Sequence, residues 1–415
     1  AMPEHQRLVR TSALLIASAS TLAMASPAYA DCALGTTTNA NDTLVCVNTV
    51  TTDTVATTFP TVSRDVPYSA PVNLFVQNTG AITGYGLALT QNGTDAGTLN
   101  INNTGAITLN SGIAPTVGGT AALNVRTSGA SVSYTGAGTI TATDAAPALR
   151  IDGTSATTPL AITVNAGGAL TSAGSGVELL APSAGSTVNA TFTSIASTGV
   201  GATALYAETS DGALTLNTGV VTSAGNAVEA VSTTGPVIVN VTGDVSTTGN
   251  GTGVVIDSTS GTVALNLSGG SVTNAAGVGA QIATSDVATV TVAAGETLSG
   301  STTALVATSA DGNLVVNNSG TISGPIAIDS NAQTALTNAT GATVSGALVL
   351  SDLADTVTNN GTLTLSGASD LGLGADVLTN NGTATLGGTL AFGDGADTLA
   401  NGAGDTLDIT GTTDL

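Results

Sequence analysis

The feature that most constrains this chain is a short Asn/Gly motif that recurs at regular intervals. Its clearest copies are residues 78–82 (NTGAI), 103–107 (NTGAI), 217–221 (NTGVV), 318–322 (NSGTI), 360–363 (NGTL) and 381–383 (NGT). Gly80 and Gly105 are separated by one period of about 25 residues, whereas from Gly320 onward the marker glycines follow at intervals of about 21 residues. Such a period predicts a repeat architecture in which each unit buries its apolar face against the next one.

Each period contains up to three short segments rich in Val, Ile, Leu and Thr, separated by Gly, Asn, Ser and Asp. Examples are Leu214-Thr215-Leu216 before the marker glycine, Thr321-Ile322-Ser323 directly after it and Leu348-Val349-Leu350 later in the turn. Such segments are typical of strands, and their alternation places one side chain inside and the next outside. We therefore predict an all-β, right-handed parallel β-helix, a solenoid with roughly three strands per turn and about 14 turns.

Two other architectures fit the pattern less well. An antiparallel barrel or sandwich would show hairpin turns at a spacing of about 8 to 12 residues, without the longer period. Leucine-rich repeats share the period but need a fixed Leu frame that this sequence lacks. At the corners, Asn and Gly supply the positive φ that a turn requires. Stacked Asn side chains would also form a hydrogen-bonded ladder along the axis.

Composition supports a solenoid and excludes some partners. Aromatic residues make up only 2% of 415 residues while hydrophobic residues make up 42%, so the core must be built from small and branched side chains in thin layers. The formal net charge is −22, with 27 acidic residues and five Arg or Lys. This excess excludes nucleic acid as a partner and disfavours anionic membrane surfaces.

The N-terminus has the pattern of an export signal. Arg7 and Arg10 precede the apolar run 13–17, and residues 28–30 read AYA. A charged segment, a short apolar segment and an A-x-A site predict cleavage before Asp31. We therefore divide the chain into a signal peptide (1–30), an N-terminal cap (31–72), a β-helix with turns of about 25 residues (73–319) and a β-helix with turns of about 21 residues (320–415).

The two cysteines, Cys32 and Cys46, both lie in the predicted cap. In an exported chain, two Cys this close in sequence predict one local disulfide that staples the cap. A redox role is the weaker interpretation, because nothing in the sequence marks either thiol as reactive.

Catalytic residue types are scarce. His5 is the only His, Lys is absent, and no G-x-S-x-G motif occurs, so a serine or cysteine nucleophile would have no base. A glycosidase with two carboxylates stays open, since Glu178, Glu208 and Glu229 each follow the third strand segment of their turn. No spacing singles out a pair among them. We therefore expect no enzymatic activity, no catalytic residue and no organic cofactor.

Acidic residues recur in the shorter turns. Asp355, Asp376 and Asp397 are spaced by one short turn of about 21 residues, and Asp394 lies shortly before the last of them. Carboxylates stacked about 5 Å apart would repel one another unless a counterion offsets the charge, and Ca²⁺ prefers several oxygen ligands. These four residues are therefore a candidate calcium site. The alternative is that each Asp accepts backbone N–H groups in its own corner and faces water.

Residues 102–107 (NNTGAI) and 317–322 (NNSGTI), together with 392–399 (FGDGADTL), resemble the passenger domains of Gram-negative autotransporters. So does the order of an export signal, a short segment with two Cys and an Asn/Gly-rich β-helix. The resemblance covers residues 31–415. Autotransporters end in a membrane β-barrel with aromatic girdles, which this sequence lacks, so we expect the barrel to lie outside it.

The resemblance implies an exported protein at the cell surface or outside the cell, associated with the outer membrane in its full-length form. The expected function is that of a structural or adhesive rod whose partner is a surface ligand or a second copy of the chain. Membrane contact is expected only through a barrel. The alternatives are a carbohydrate-active enzyme with paired carboxylates and a filament subunit that associates through open β-helix ends.

Overall fold

The computed structural model describes residues 73–414, apart from 85, 93–96, 111–120 and 310–311, together with the backbone of four earlier strands. The predicted signal peptide and most of the predicted cap lie outside these residues. The described chain forms 41 strands. They stack as a parallel β-solenoid of about 13 turns, which confirms the predicted parallel β-helix with one turn fewer than expected.

Every complete turn contributes to three parallel sheets, which we call sheets A, B and C in the order in which the chain meets them. Asn73–Asn78 pairs with Thr98–Asn103 in sheet A, Ile82–Thr83 pairs with Ile107–Leu109 in sheet B, and Leu87–Asn92 pairs with Leu123–Thr127 in sheet C. The three-strand turn that the sequence predicted is therefore present.

The strands of sheet A are Asn41–Cys46, Asn73–Asn78, Thr98–Asn103, Ser131–Gly136, Val237–Val241, Val263–Leu267, Ala288–Val292, Asn313–Asn318, Gln333–Asn338, Thr356–Asn359, Val377–Asn380 and Thr398–Asn401. Those of sheet B are Val50–Thr51, Ile82–Thr83, Ile107–Leu109, Ile140–Ala142, Val245–Thr247, Val272–Asn274, Thr297–Gly300, Thr362–Leu365, Thr383–Leu386 and Thr406–Ile409. Those of sheet C are Thr61–Asp65, Leu87–Asn92, Leu123–Thr127, Leu149–Asp152, Val177–Ala181, Leu205–Thr209, Val228–Ser232, Val254–Ser258, Ala280–Thr284, Thr303–Thr308, Ala368–Asp370, Thr389–Ala391 and Thr412–Asp414. Three long strands continue from sheet A into sheet B, namely Ala161–Ser172, Thr187–Ser197 and Leu214–Ser223. Two continue from sheet B into sheet C, namely Thr321–Ser330 and Thr343–Val349.

The core is a continuous column of small and branched side chains inside the three sheets. Leu214 and Leu216 are fully buried and Thr215 between them is partly exposed, as the two-residue period of a strand requires. Large rings are rare within it: Tyr134, Phe192 and Phe392 are its buried aromatic residues in the described part of the chain. The low aromatic content thus reflects a core that is built in thin layers.

The marker glycines are required by close contact between turns. A Cβ on Gly105 would lie 1.8 Å from the carbonyl oxygen of Gly80, and one on Gly138 would lie 2.0 Å from that of Gly105. The expected positive φ is found at Gly341, but not at Gly105 or Gly320. At most of these corners the backbones approach too closely for any side chain, whatever the φ value.

Turn length varies along the rod. Leu99 pairs with Val132 and Val132 with Ile162, and these two turns are longer than any that follow them in sheet A. After Ile162 the turns take 23 to 26 residues, as the hydrogen bonds of Asn240 to equivalent Asn residues one turn away show. Leu314 then pairs with Thr334, 20 residues later, and the following turns take 21.

Before the first parallel turn, Cys32–Leu34 pairs antiparallel with Asn41–Cys46, and this register places Cys32 opposite Cys46. The side chains of both residues lie outside the described part of the structure, so their disulfide stays a prediction. Among the described residues, no helix has the length and apolarity needed to cross a bilayer.

Candidate functional site

Three of the four candidate calcium ligands lie in one column, directly before the sheet A strands of the short turns. Ala335 pairs with Thr356, Thr356 with Val377 and Val377 with Thr398, so the residues before them also stack. This column contains Thr334, Asp355, Asp376 and Asp397. In the longer turns the same inward column is apolar, with Ile162, Val188, Leu214, Val237, Val263, Ala288 and Leu314. Asp394, by contrast, is exposed on its loop.

Each carboxylate in this aspartate column accepts a hydrogen bond from the backbone of the preceding turn. The Asp355 N–H donates to Asp376 Oδ1 at 2.7 Å, and the Asp376 N–H donates to Asp397 Oδ1 at 2.9 Å. The Thr334 N–H donates to Asp355 in the same way. Asp355 and Asp376 are 1% and 0% exposed. The alternative expectation is therefore met only in that backbone N–H groups are the donors: these donors lie one turn away rather than in the same corner, and the side chains of Asp355 and Asp376 face the interior rather than water.

Asp355 and Asp376 differ in how their second oxygen is satisfied. In the loop before Asp355, Ser351 donates its N–H to Asp355 Oδ2 at 3.0 Å and its hydroxyl at 3.1 Å. The corresponding residue in the next turn is Gly372, whose N–H donates to Asp370 at 3.1 Å. Asp376 Oδ2 is consequently buried without a hydrogen-bond partner.

Burial governs the ionisation of this column. It raises the pKa of Asp355 to about 6, against the lowering effect of the hydrogen bonds from Thr334 and Ser351, and Asp376 raises it further. Burial also raises the pKa of Asp376, with additional repulsion from Asp397 and Asp370. Within the described residues, no group of three or more His, Cys, Asp or Glu is arranged to hold a metal ion. The calcium site stays a prediction.

A second ladder runs beside the aspartate column, at the other end of the same strands. Each Asn Nδ2 donates to Oδ1 of the Asn one turn later, over distances of 2.6–2.8 Å. Its members are Asn318, Asn338, Asn359, Asn380 and Asn401. This confirms the predicted hydrogen-bonded stack of Asn side chains. Asp355, Asp376 and the Asn residues from Asn318 to Asn380 are buried, so their hydrogen bonds between turns stabilise the interior of the rod.

An outward surface with several charged side chains in ion pairs lies on sheet C. We call it the charged patch, and its members are Arg126, Arg150, Asp152, Glu178, Tyr206, Glu208 and Glu229. The backbone register aligns Arg150 with Glu178, Glu178 with Tyr206 and Tyr206 with Glu229, one turn apart each time. A neighbouring outward column aligns Arg126 with Asp152. Sheet stacking thus assembles residues that are distant in sequence.

At one end of the patch, two guanidinium groups surround Asp152. Arg150 Nη2 lies 3.4 Å and Arg126 Nε lies 3.8 Å from Asp152 Oδ2, while Arg150 Nη1 lies 3.5 Å from Glu178 Oε2. Burial would raise the pKa of Asp152, but hydrogen bonds from Thr154 and the two guanidinium groups outweigh it and lower that pKa. Asp152 is therefore held as a carboxylate.

The other end of the patch is acidic. Tyr206 Oη donates to Glu208 Oε2 at 3.2 Å, and Thr203 Oγ1 and Asn226 Nδ2 each donate to Glu229 Oε2 at 3.2 Å. Burial raises the pKa of Tyr206 to about 12, and the carboxylates around it contribute to this rise. The phenol therefore stays protonated as a donor. Burial also raises the pKa of Glu178, although Arg150 opposes the effect.

Sequence reasoning found only part of this patch. It singled out Glu178, Glu208 and Glu229 but placed them after the third strand, which is wrong: they lie within the sheet C strands Val177–Ala181, Leu205–Thr209 and Val228–Ser232, on one outer face. It did not assign a role to Arg126, Arg150, Asp152 or Tyr206. The separations between Arg126, Arg150 and Glu178 lie near the repeat period, and this spacing was the available sign that the three residues stack on successive turns. The irregular turn lengths in this region make that spacing hard to recognise in the sequence.

Comparisons of the chain with protein-family models, with curated proteins and with solved structures found no match in any of the three. The function of the protein must therefore be inferred from the solenoid fold and from the side chains on its surface.

Proposed function

We propose that this protein is an exported rod of the autotransporter passenger class, with a structural or adhesive role at the surface of a Gram-negative cell. The observation that carries the proposal is the stack of about 13 turns on one continuous apolar core. Such a stack extends a chain in one direction and exposes flat, regular sheets along its length. The resemblance of residues 102–107 and 317–322 to passenger repeats supports the same interpretation.

Adhesion can be tested with the purified full chain coated on polystyrene beads. We expect the coated beads to adhere to a panel of cells and matrix proteins more than beads coated with an unrelated acidic protein. Equal adhesion of both bead types would contradict the adhesive role. Export can be tested separately by expression in a Gram-negative host, where mass spectrometry should show a mature chain that begins at Asp31.

A carbohydrate-active hydrolase is the second candidate, and one feature of the charged patch favours it. Glu178 has a raised pKa, as a general acid requires, and Glu229 lies two turns away in the same outward column. Two turns are about 10 Å. This is close to the roughly 6.5–9.5 Å between the carboxyl groups of inverting glycosidases.

The two candidates differ in whether polysaccharide is cleaved. For an adhesive rod, we expect no reducing ends to be released from plant or bacterial polysaccharides during incubation with the purified chain. Release that is abolished by Glu178→Gln, and retained by the matched variant Glu208→Gln, would instead establish the hydrolase.

A further inference from the structure

A groove on the outer face of sheet A, near the start of the described rod, has a lining unlike the rest of the surface. Its volume is about 470 Å³, and it is lined by Phe75, Val76, Gln77, Asn100, Ile101, Asn102, Ser133 and Thr135. Val76 and Ile101 point into the core, so the outward side chains form two parallel columns. One column is Phe75, Asn100 and Ser133, and the other is Gln77, Asn102 and Thr135.

Phe75 is the aromatic residue of this groove and is 40% exposed. Tyr134, Phe192 and Phe392, by contrast, are buried. An exposed ring in a chain with 2% aromatic residues leaves apolar area in contact with water that burial would remove. A flat ring at a groove is suited to stack on another flat apolar surface.

The polar side chains around this ring are available to a ligand. No hydrogen bond joins the side chain of Gln77, Asn100, Asn102 or Ser133 to another group in the described part of the chain. Only Thr135 makes one, from its hydroxyl to the carbonyl oxygen of Ile101 at 3.5 Å. Amides both donate and accept, so adjacent amides can bind adjacent hydroxyl groups.

The groove carries no charged side chain, although the chain has a net charge of −22. The negative field of the whole molecule repels anionic ligands. An extended peptide cannot add as a strand here, because Thr98–Asn103 is already paired on both edges, with Asn73–Asn78 and Ser131–Gly136. Recognition must therefore come from side chains that repeat every turn, about 4.8 Å apart.

We propose that this groove binds a neutral polysaccharide, with Phe75 stacked on a sugar ring and the amides of Gln77, Asn100 and Asn102 bound to its hydroxyl groups. The repeated columns fit a polymer whose own units repeat along the rod axis. This inference rests on the proposed adhesive function and names the class of its ligand.

The test is affinity electrophoresis of the folded chain through gels that contain dextran, mannan, galactan or heparin. We expect at least one neutral polysaccharide to retard the chain, and heparin not to do so. Phe75→Ala should weaken the binding about tenfold, as loss of a central aromatic contact does. Asn102→Ala should also weaken it. Asn102→Ala should leave the melting temperature unchanged, since its side chain is exposed, and Phe75→Ala should change it about as much as Ile238→Ala, since Phe75 and Ile238 are 40% and 37% exposed.

Ile238→Ala is the matched control. Ile238 belongs to the same outward column of sheet A and is 37% exposed, but it lies several turns away from the groove. We expect it to bind like the unaltered chain. Retardation by heparin alone, by none of the neutral gels, or to the same degree for Phe75→Ala would overturn the proposal. The bead assay distinguishes the adhesive function from the role of this groove. If beads coated with the Phe75→Ala variant adhere as well as beads coated with the unaltered chain, the adhesive function stands and this groove is excluded as the binding site.

Discussion

The long and short turns of this rod bury the same inward positions with different chemistry. Between Ile162 and Leu314 these positions hold apolar side chains with the exception of Thr218, whereas the turns after Thr334 hold Asp at one end of each sheet A strand and Asn at the other. In the short turns, the corners are closed by hydrogen bonds that run from one turn to the next. In the long turns, apolar packing fills the same places.

A solenoid can therefore keep the same backbone arrangement with either an apolar or a hydrogen-bonded polar interior. In the asparagine column, a buried amide is tolerated because its counterpart one turn away completes its hydrogen bonds. Asn359, for example, accepts from Asn338 and donates to Asn380, both at 2.7 Å. Substitution of one residue therefore has a cost that depends on its neighbours in the column.

A reciprocal exchange within the asparagine column should give the largest effects. Leu267 lies in the same column of the long turns, and Leu267→Asn would bury an amide between Val241 and Val292. We expect it to lower the free energy of unfolding by about 4 kcal/mol, through lost apolar burial and an unsatisfied amide. Asn359→Leu should lower it by about 3 kcal/mol, because Asn338 and Asn380 each lose a partner. Urea unfolding measures both.

The control is Asn381→Leu, which changes an Asn in the same turns whose side chain bonds Asn360 at the surface. It should alter the free energy of unfolding by less than about 0.5 kcal/mol. A stabilising Asn359→Leu would show that the short turns do not need their polar column.

Acidity should strengthen the short turns. The pKa of Asp355 is raised from its ordinary value of 3.8 to about 6, so the folded state binds the proton more tightly than the unfolded state. Its contribution is complete below pH 3.8 and is lost as the pH rises through 6. We expect these turns to lose about 2 kcal/mol between pH 4.5 and 7.5. Hydrogen exchange of the Val357 and Leu378 amides would measure it.

Asp376→Asn removes the nearest carboxylate to Asp355 but keeps an oxygen that can accept the Asp355 N–H. It should reduce the pH dependence and stabilise the short turns at pH 7.5. Asp408→Asn, on the exposed face of sheet B, should change neither. Identical pH profiles for Asp376→Asn and the unaltered chain would show that Asp376 does not contribute to the dependence.

The charged patch of the long turns should give the smallest effect. Arg150→Gln removes the ion pairs to Asp152 and Glu178, which are partly exposed, so we expect a loss of about 1 kcal/mol that decreases in high salt. The pKa of Glu178 should rise further, since Arg150 is the group that lowers it. Carboxyl NMR titration measures this rise. Arg126 Nε lies 3.8 Å from Asp152 Oδ2 and does not pair with Glu178. Arg126→Gln should therefore leave the pKa of Glu178 nearly unchanged.

Strand alternation and the glycine period were sufficient to predict the parallel solenoid, because both follow from local geometry. The alternation of apolar and polar residues in segments such as Leu214-Thr215-Leu216 directly indicates which side chains face inward. The orientation of Asp376 could have been inferred in the same way, since Leu378 two residues later is an apolar core residue and shares its face. The prediction treated each Asp as part of a corner and overlooked this alternation.

The charged patch and the groove at Phe75 could not be predicted from the sequence in the way that the solenoid could. Both lie in the part of the rod where turn length is greatest and least regular, so the register between neighbouring turns depends on loop lengths that the sequence does not mark. An error of one residue in register moves a side chain from the outer to the inner face. Whether Arg150 meets Glu178 is therefore a property of the folded stack.

The asparagine ladder also has a consequence for how such a chain can change in length. All its amides donate in one direction, from Asn318 toward Asn401, and successive members from Asn338 onward are 21 residues apart. A duplicated unit of 21 residues would insert as a whole turn, extend both polar columns and meet neighbours identical to those it replaced. A duplication that does not correspond to a whole number of turns would break both columns at once. Gene duplication can thus lengthen this part of the rod only in complete turns.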